Sequence, residues 1–322
     1  MKTVRRLAYL ALAIGFAQVV FGAIVRITGS GLGCGDHWPD CYGSFTPAHS
    51  APTLLVEITH RYGAAALSIA ILALVAVAWT KRKEAGVGGA GGPLRPSLLA
   101  VALVVVAALF GAVTVKLGLR PWVVVTHLAI AMFLLATLVV VAVRAGGFGS
   151  ARIPVRYERT ERSGRGAAGL TFLALVFGAL TANTPSASVA CQGFPWCTSV
   201  AASGTPLYIQ VTHGIIAFLL LGHLIGVMIG VRKRGEARPV RIAATTAFSL
   251  VMLQVLVAAA MVEMHLPPGL RSLHQAIGTA LWISVIALKA LASGPSGTAD
   301  IERIIYESPS RGEFATPEGV ST

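Results

Sequence analysis

Long apolar runs separated by short polar loops are the dominant pattern of this chain. Eight such runs can be drawn, and most are close to the roughly 20 residues that an α-helix needs to cross a bilayer. Their approximate bounds are 7–25, 54–79, 98–115, 122–143, 167–182, 207–231, 242–262 and 273–291. The pattern predicts an all-α integral membrane protein with eight transmembrane helices, of which the fifth is the shortest.

The composition favours a membrane protein over a soluble one. Hydrophobic residues make up 55% of the chain and charged residues only 12%, whereas a soluble domain carries about 25% charged residues. The first run follows Lys2, Arg5 and Arg6, an arrangement that is also typical of a cleaved signal peptide. Because this run is long enough to span a bilayer and a later segment repeats its ending, we interpret it as a retained helix.

Basic residues are distributed unevenly between the two sides of the predicted bundle. The net charge of +13 would suit nucleic acid, but the cations lie in short loops between apolar runs, which argues against a nucleic-acid partner. One side, called the basic side below, carries 21 of the 26 Lys and Arg residues. The other carries Arg26, Arg61, Lys116, Arg120 and Arg271. The positive-inside rule then predicts cytoplasmic termini and odd-numbered loops outside.

The two halves of the chain carry matching features in the same order. Phe21-Gly22-Ala23 in the first run matches Phe177-Gly178-Ala179 in the fifth, and a pair of cysteines follows each motif. One histidine opens each even-numbered run, with offsets of 153 and 147 residues between the halves. The matched residues are Cys34 and Cys41 with Cys191 and Cys197, His60 with His213, and His127 with His274. This order predicts two pseudo-symmetric four-helix bundles formed by a parallel internal repeat.

The repeat and the loop composition divide the chain into four segments. Residues 1–145 form the predicted N-terminal four-helix half, and residues 167–292 form the C-terminal half. Between them lies a basic cytoplasmic linker, residues 146–166, and a polar cytoplasmic tail follows at 293–322. Each half thus contains four apolar runs, two histidines of the repeat and one cysteine pair.

The four repeated histidines lie at equivalent depth near one end of their helices, on what we call the histidine side. Ionisable residues in spans are costly and usually functional, and neutral imidazole is a common metal ligand. Two histidines on facing helices can bind one haem iron from both sides. A small residue one turn deeper on the same helix face leaves room for a flat macrocycle. These small residues are Ala64, Ala131, Ala217 and Gly278.

Two alternatives compete with haem at these histidines. Each could simply bond a neighbouring helix, although four in register across a repeat make that explanation weak. Zinc would need Cys and His close together in a tetrahedral arrangement, and no such spacing occurs. His223 breaks the pattern and is interpreted as an interhelical hydrogen-bonding residue. His37, His49 and His265 lie in or near loops and are interpreted as loop polar groups.

An acidic residue stands at the start of the second run. Glu57 precedes His60 by three residues and therefore shares its helix face. Its carboxyl could act as a general base or charge stabiliser, or could be a helix-end charge favoured by the dipole. Arg61 is a candidate contact for a haem propionate, or an interfacial arginine. The position matching Glu57 is Gln210, which cannot ionise, so the first half is the better candidate for chemistry.

Both cysteine pairs fall in loops on the histidine side, which the charge pattern places outside, where disulfides form. Cys34 and Cys41, like Cys191 and Cys197, are close enough in sequence to bridge. Either pair could staple its loop or could pass electrons onward as a redox pair. We predict that Cys34 and Cys41 form a disulfide that is open to small reductants.

Taken together, these motifs resemble those of the haem A synthases. The combination is more specific than any single piece, and it covers about residues 7–291. The basic loops and the tail show no family signature. The family's Glu-x-x-His-Arg-x-x-Gly element resembles Glu57-Ile58-Thr59-His60-Arg61-Tyr62-Gly63. Its first outer loop resembles Gly29-Ser30-Gly31-Leu32-Gly33-Cys34 with Trp38-Pro39 and Cys41. Its second cysteine-bearing loop resembles Cys191-Gln192-Gly193-Phe194-Pro195 with Cys197.

The resemblance implies a membrane oxidoreductase that oxidises a methyl group of haem O, by successive hydroxylation, to the formyl group of haem A for terminal oxidase assembly. It implies a multi-pass protein of a prokaryotic plasma membrane with haem sites near the outer face. Implied partners are haem O, the haem O synthase (protohaem farnesyltransferase) and an electron acceptor. The implied residues are His60 and His127 for the substrate haem iron, His213 and His274 for the iron of a haem b cofactor, Glu57 for catalysis, and Cys34 and Cys41 as a redox pair.

Two other functions fit part of the pattern. A bis-His di-haem b membrane cytochrome that relays electrons from quinol would explain the histidines, but not a carboxylate beside only one pair. A haem transporter or assembly factor without chemistry would tolerate unequal halves, but has no need of two redox cysteine pairs.

Overall fold

The computed structural model describes residues 1–45 and 51–294, and all eight predicted spans are α-helices within them. Each helix is long and apolar enough to cross a membrane, which confirms the predicted all-α, multi-pass membrane protein. The helices are α1 (Lys2–Ile27), α2 (Pro52–Thr80), α3 (Leu94–Lys116), α4 (Pro121–Arg144), α5 (Glu158–Asn183), α6 (Thr205–Lys233), α7 (Arg238–Glu263) and α8 (Pro268–Ala292). The described residues also form a 3-10 helix (Gly147–Arg152) and an antiparallel pair of short strands, β1 (Cys191–Gln192) and β2 (Ser199–Val200).

The fifth helix begins earlier than its apolar run predicts. α5 starts at Glu158 rather than near residue 167, so it takes up much of the segment 146–166 that was expected to be a linker. Glu158 and Glu161 lie in its first turn, where the positive end of the helix dipole stabilises acidic side chains. Hydropathy marks only the part of a helix that lies in the bilayer core, so a polar first stretch of helix cannot be read from it.

The centre of the bundle is formed by helices from both halves. α4 and α8 each contact α1, α5 and one another, while α2 and α3 pack on the first half and α6 and α7 on the second. Between α4 and α8, Trp282 Nε1 donates a hydrogen bond to the carbonyl oxygen of Met132 at 2.8 Å. This bond joins the two halves and satisfies an indole N–H that would be costly to leave unpaired in a membrane.

The loops on the histidine side have matching backbones in the two halves. Leu119 between α3 and α4, and Leu266 between α7 and α8, both adopt positive φ, at 58° and 62°. Each donates its N–H to a carbonyl five residues earlier, that of Thr114 at 3.0 Å and that of Met261 at 2.8 Å. The offset between these turns is the 147 residues that separate His127 from His274. Such repetition is what an internal duplication predicts.

Reporter fusions test the predicted orientation of this bundle. A fusion at Gly89, in the loop between α2 and α3, is expected to read cytoplasmic because that loop lies on the basic side. A fusion at Thr205, the first residue of α6, is expected to read external. Paired reporters that are active on only one side of the membrane measure this at each site. The opposite reading at either site contradicts the predicted topology.

Candidate functional site

Each histidine of the repeat packs against the helix that precedes its own. A β-carbon built on Gly22 of α1 would lie 3.1 Å from Cε1 of His60, and one on Gly178 of α5 would lie 3.0 Å from Cε1 of His213. These are closer than ordinary van der Waals contacts, so a larger residue would push the ring away. The glycine of the repeated Phe-Gly-Ala motif therefore sets the position of the first imidazole in each half.

The histidines lie together in the pairs that the family resemblance implies. The rings of His60 and His127 are close enough to interact electrostatically, and so are those of His213 and His274. Each pair joins an earlier helix of a half to the last one, α2 with α4 and α6 with α8. Two imidazoles that face each other within one half are the arrangement that a six-coordinate haem iron needs.

All four rings carry a buried nitrogen without a hydrogen-bond partner among the described residues. The unpaired atom is Nδ1 in each case, in His60, His127, His213 and His274. Buried polar atoms are almost always paired, so four unpaired nitrogens at equivalent places fit a ligand-binding role. A haem iron fits this donor set, because it accepts a lone pair from neutral imidazole on either side. Among the described residues no cluster of three or more His, Cys, Asp or Glu could hold another metal ion.

The opposite ring nitrogens contact different partners in the two halves. Nε2 of His60 lies 3.4 Å from the side-chain nitrogen of Gln18 on α1, and Nε2 of His274 lies 3.0 Å from that of Gln254 on α7. The counterparts of these glutamines at the other two histidines are alanines, Ala174 beside His213 and Ala107 beside His127, which contact the rings through backbone atoms. Each half thus has one histidine beside an amide and one beside an alanine.

Glu57 is held beneath the first cysteine loop. Its side chain is only 4% exposed, it accepts a hydrogen bond from the Cys34 N–H at 2.9 Å, and it forms an ion pair with Arg61. The second half repeats the anchor without the charge, because Gln210 accepts from the Cys191 N–H at 2.6 Å and donates to the Cys191 carbonyl at 3.0 Å. The side chain three residues before the histidine therefore fastens the cysteine loop in both halves.

The guanidinium of Arg61 also bonds to the first cysteine loop. It donates to the carbonyl oxygens of His37 at 2.9 Å, Pro39 at 3.1 Å and Asp40 at 2.6 Å, in addition to its ion pair with Glu57. Both terminal nitrogens are thus occupied within the protein. A contact between Arg61 and a haem propionate remains a prediction.

Comparison with known proteins decides the family. A family model described as a cytochrome oxidase assembly protein matches residues 5–286. The haem A synthase of Bacillus pumilus (strain SAFR-032) is 28% identical over 231 residues, which cover 67% of this chain and 71% of the relative. The haem A synthase of Bacillus mycoides (strain KBAB4) is 26% identical over 259 residues, which cover 79% of this chain and 81% of the relative. That of Lysinibacillus sphaericus (strain C3-41) is 27% identical over 274 residues, which cover 76% of this chain and 81% of the relative. The chain belongs to the haem A synthase family.

Membership of the haem A synthase family confirms the resemblance read from the motifs. The matched region includes all eight helices in part or in full and both cysteine loops. The elements that carried the resemblance, around Glu57, Cys34 and Cys191, are also the ones that the structure joins by hydrogen bonds. The motif residues of this family member are therefore also structural neighbours.

Both cysteine pairs form disulfides, Cys34 with Cys41 and Cys191 with Cys197. The two bridges differ in burial. Cys34 and Cys41 are fully buried beside Leu54 and Ile58, whereas Cys197 is exposed. The expectation that small reductants reach the first pair is therefore wrong, since neither cysteine has exposed surface. Whether this pair carries electrons remains a prediction.

Differential alkylation tests this order of accessibility. With a mild water-soluble reductant and a mass-tagged alkylating agent, Cys191 and Cys197 are expected to be labelled well before Cys34 and Cys41, because thiol–disulfide exchange requires access to a sulfur. Full labelling in denaturant is the control that both bridges are reducible. Earlier labelling of Cys34 and Cys41 in the folded protein would contradict the burial described here.

The remaining histidines have structural surroundings. Nε2 of His223 lies 2.9 Å from the carbonyl oxygen of Ser163, so it links α6 to α5 as the sequence predicts. The His37 ring lies 4.9 Å from the ring of Tyr42 within the first cysteine loop. His265 is exposed in the turn before α8. His49 lies outside the described residues.

Gln18 and Gln254 were not identified from the sequence as site residues. Both contact a haem-ligand candidate, and Gln18 also donates to the carbonyl oxygen of His60 at 2.8 Å. Gly63 of the Glu57–Gly63 motif makes room for this amide, since a side chain there would collide with Gln18. A signal was present, because an amide in an apolar helix is costly unless it is paired, but the sequence cannot show which residue it faces.

Proposed function

We propose that this protein oxidises a methyl substituent of haem O to a formyl group, producing haem A for the assembly of terminal oxidases. The observation that carries the proposal is the unequal pair of loop anchors in two otherwise matching halves. Glu57 and Gln210 make the same bond to the first cysteine of their loops, yet only Glu57 carries a charge. A carboxylate retained beside one histidine pair alone indicates that this half does chemistry.

The two halves would then hold different haems. His60 and His127 are proposed to bind the substrate haem, and His213 and His274 a haem b that serves as an electron carrier. The orphaned Nδ1 atoms and the small residues one turn deeper support a macrocycle at each pair. Conversion of a methyl to a formyl group with oxygen from water releases four electrons and four protons, so an electron carrier in the neighbouring half that passes electrons to an acceptor suits the reaction.

Glu57 is proposed to act on protons at the substrate methyl group. It is buried and one helical turn from His60, in a water-poor environment where a carboxylate interacts strongly with nearby charge. A positioned carboxyl can accept protons as the carbon is oxidised. Arg61 and the Cys34 N–H hold the carboxylate in one orientation, which is the preorganisation that such a role requires.

The proposed location is a plasma membrane with both termini in the cytoplasm and the haem sites near the outer face. The uneven charge of the loops supports this orientation. A haem O synthase is the proposed source of the substrate, and an electron acceptor is needed to complete the oxidation. Haem O carries a long apolar tail, so a substrate site that opens within the bilayer suits its delivery.

A second candidate is a bis-His di-haem b cytochrome that relays electrons from quinol. The equivalence of the two histidine pairs favours it. Both pairs lie on matching helices of the repeat, both have a glycine packed against the first imidazole, and both carry unpaired Nδ1 atoms. It offers no reason for Glu57 in place of a glutamine. An assembly factor without chemistry would fit the match to a cytochrome oxidase assembly family but not this difference.

Extraction of the pigments from purified protein tests the proposal against both rivals. A formyl-bearing haem together with haem b, identified by mass, is the expected result. Haem b alone at both sites would overturn it in favour of the cytochrome. Haem well below one per protein, in a folded preparation, would overturn it in favour of an assembly factor.

A further inference from the structure

A cleft lies between the two halves at the basic side, far from the histidines. Its volume is about 560 Å³. Helices α3 and α4 of the first half and α5 and α8 of the second line it. The lining residues are Arg95, Pro96, Leu99, Phe133, Ala136, Thr137, Val140, Arg144, Arg165, Ala168, Ile286 and Lys289.

Four cations line this cleft, and no carboxylate does. Arg95 and Arg144 are close enough for their charges to repel each other, and Arg165 and Lys289 face them from the second half. The nearest carboxylate, Glu161, interacts with Arg165 and Lys289 but already pairs with Arg156 at 2.6 Å. Such a concentration of like charge, with one shared and already paired acid, attracts anions to the cleft.

Apart from Thr137, the rest of the lining is apolar. Leu99 and Phe133 are 52% and 50% exposed on the cleft, and Val140 and Ile286 continue the wall. Phe133 precedes Arg144 by eleven residues on α4, a distance of roughly 16 Å along a helix. The cleft therefore combines a cationic end with an apolar wall about as long as a fatty acyl chain.

The internal repeat does not require these charges. The offset of 147 residues relates α3 and α4 to α7 and α8, and the offset of 156 between Gly22 and Gly178 relates α1 to α5. The equivalent interface of the repeat therefore lies between α7 and α8 of the second half and α1 and α4 of the first. At the matching positions there, uncharged residues replace the four cations. Arg95 corresponds to Ile242, Arg144 to Leu291, Arg165 to Tyr9 and Lys289 to Ala142. The basic lining belongs to this one interface.

We propose that this cleft binds one anionic phospholipid, with the phosphate held by the four cations and an acyl chain along Leu99 and Phe133. Basic pockets between transmembrane helices on the cytoplasmic side are typical sites for anionic lipid headgroups. A small free anion would use the cations but leave the apolar wall uncovered. A bound lipid would bridge α3 of one half and α5 of the other, and so strengthen the interface between the halves.

Native mass spectrometry of the purified protein with added lipid tests the site. Phosphatidylglycerol is expected to bind as a single tight adduct, and phosphatidylcholine with the same acyl chains far more weakly. The double variant Arg95→Gln/Arg165→Gln removes two exposed cations whose side chains make no hydrogen bond to the backbone of the described residues. It is expected to weaken phosphatidylglycerol binding by roughly 10- to 30-fold. Ala136→Leu, which narrows the apolar wall without changing charge, is expected to weaken it as well.

The matched control removes two exposed cations elsewhere on the basic side. Arg238 and Arg241 line a second cleft whose only apolar side chain is Ile242, so Arg238→Gln/Arg241→Gln is expected to leave the tight adduct unchanged. Equal weakening by this control would mean a general surface attraction and would overturn the site. Equal binding of phosphatidylcholine, or unchanged phosphatidylglycerol binding by Arg95→Gln/Arg165→Gln, would also overturn the site. Displacement of the lipid by millimolar inorganic phosphate would overturn it in favour of a small-anion site.

Discussion

Replacing Glu57 by Gln is expected to lower the conversion of haem O to formyl haem by about 10² or more, the usual scale for loss of a positioned acid–base group. Folding and haem content are expected to persist. The second half shows why, since Gln210 already makes the corresponding bond to the Cys191 N–H at 2.6 Å. Glutamine at position 57 can accept from the Cys34 N–H in the same way, so the substitution removes the charge and leaves the anchor.

Arg61 is not stranded by this change. It keeps three carbonyl acceptors in the first cysteine loop, those of His37, Pro39 and Asp40. A buried arginine without any acceptor would be strongly destabilising, so these bonds are the reason to expect a folded variant. Partly oxidised haem is expected to accumulate if the carboxyl acts in a later step of the oxidation.

Glu263→Gln is the matched control for Glu57→Gln. Glu263 ends α7 on the same side of the bundle, and it is exposed. Both variants exchange a carboxylate for an amide of the same size, but only Glu57 is buried beside a histidine pair. The product-to-substrate haem ratio, measured by chromatography of extracted pigments, should fall for Glu57→Gln alone. Wild-type conversion by Glu57→Gln would reduce Glu57 to a loop anchor and remove the main reason to assign chemistry to the first half.

His213→Ala and His274→Ala are each expected to abolish the low-spin bis-His haem b spectrum and to leave a substrate haem in the other half. Each change removes one of the two imidazoles proposed to bind this iron, and one imidazole alone does not make it six-coordinate. The pair proposed for the substrate haem, His60 and His127, lies on α2 and α4, which pack in the first half. The expected readout is a loss of the haem b part of the low-spin signal, with roughly half of the haem retained per folded protein.

His223→Ala provides the control for these two variants. His223 lies ten residues beyond His213 on the same helix, and it bonds to the Ser163 carbonyl rather than to a partner histidine. Its removal is expected to loosen the α5–α6 contact while the haem spectrum stays. If His213→Ala or His274→Ala instead strips both haems equally from a folded protein, the assignment of one haem to each half is wrong.

The parts of the fold that depend on one helix at a time could be predicted from the sequence. Hydropathy located all eight helices because burial in lipid demands a continuous apolar run. Spacing placed His60, His127, His213 and His274 at equal depth, whereas the division into two pairs came from the resemblance to haem A synthases. Hydropathy missed the start of α5 at Glu158, where a polar stretch of helix leaves the bilayer core.

Contacts between segments distant in the chain could not be predicted. The bond from Cys34 to Glu57, the contact of Gln18 with His60 and the burial of the first disulfide all depend on how a loop folds back on helix ends. The sequence shows that an amide or a carboxylate lies in an apolar segment, which is costly unless it is paired. It does not show the partner, because side-chain direction across helices is decided by packing.

The most direct test of the account is whether this chain makes formyl haem from haem O. The measurement uses a host that synthesises haem O but no haem A, with the chain expressed from a plasmid and the empty plasmid as reference. Membrane haems are extracted, separated by chromatography and identified by mass. Haem A is expected only in the membranes that contain the protein. Haem O and haem b alone, with the protein folded and carrying haem, would contradict it.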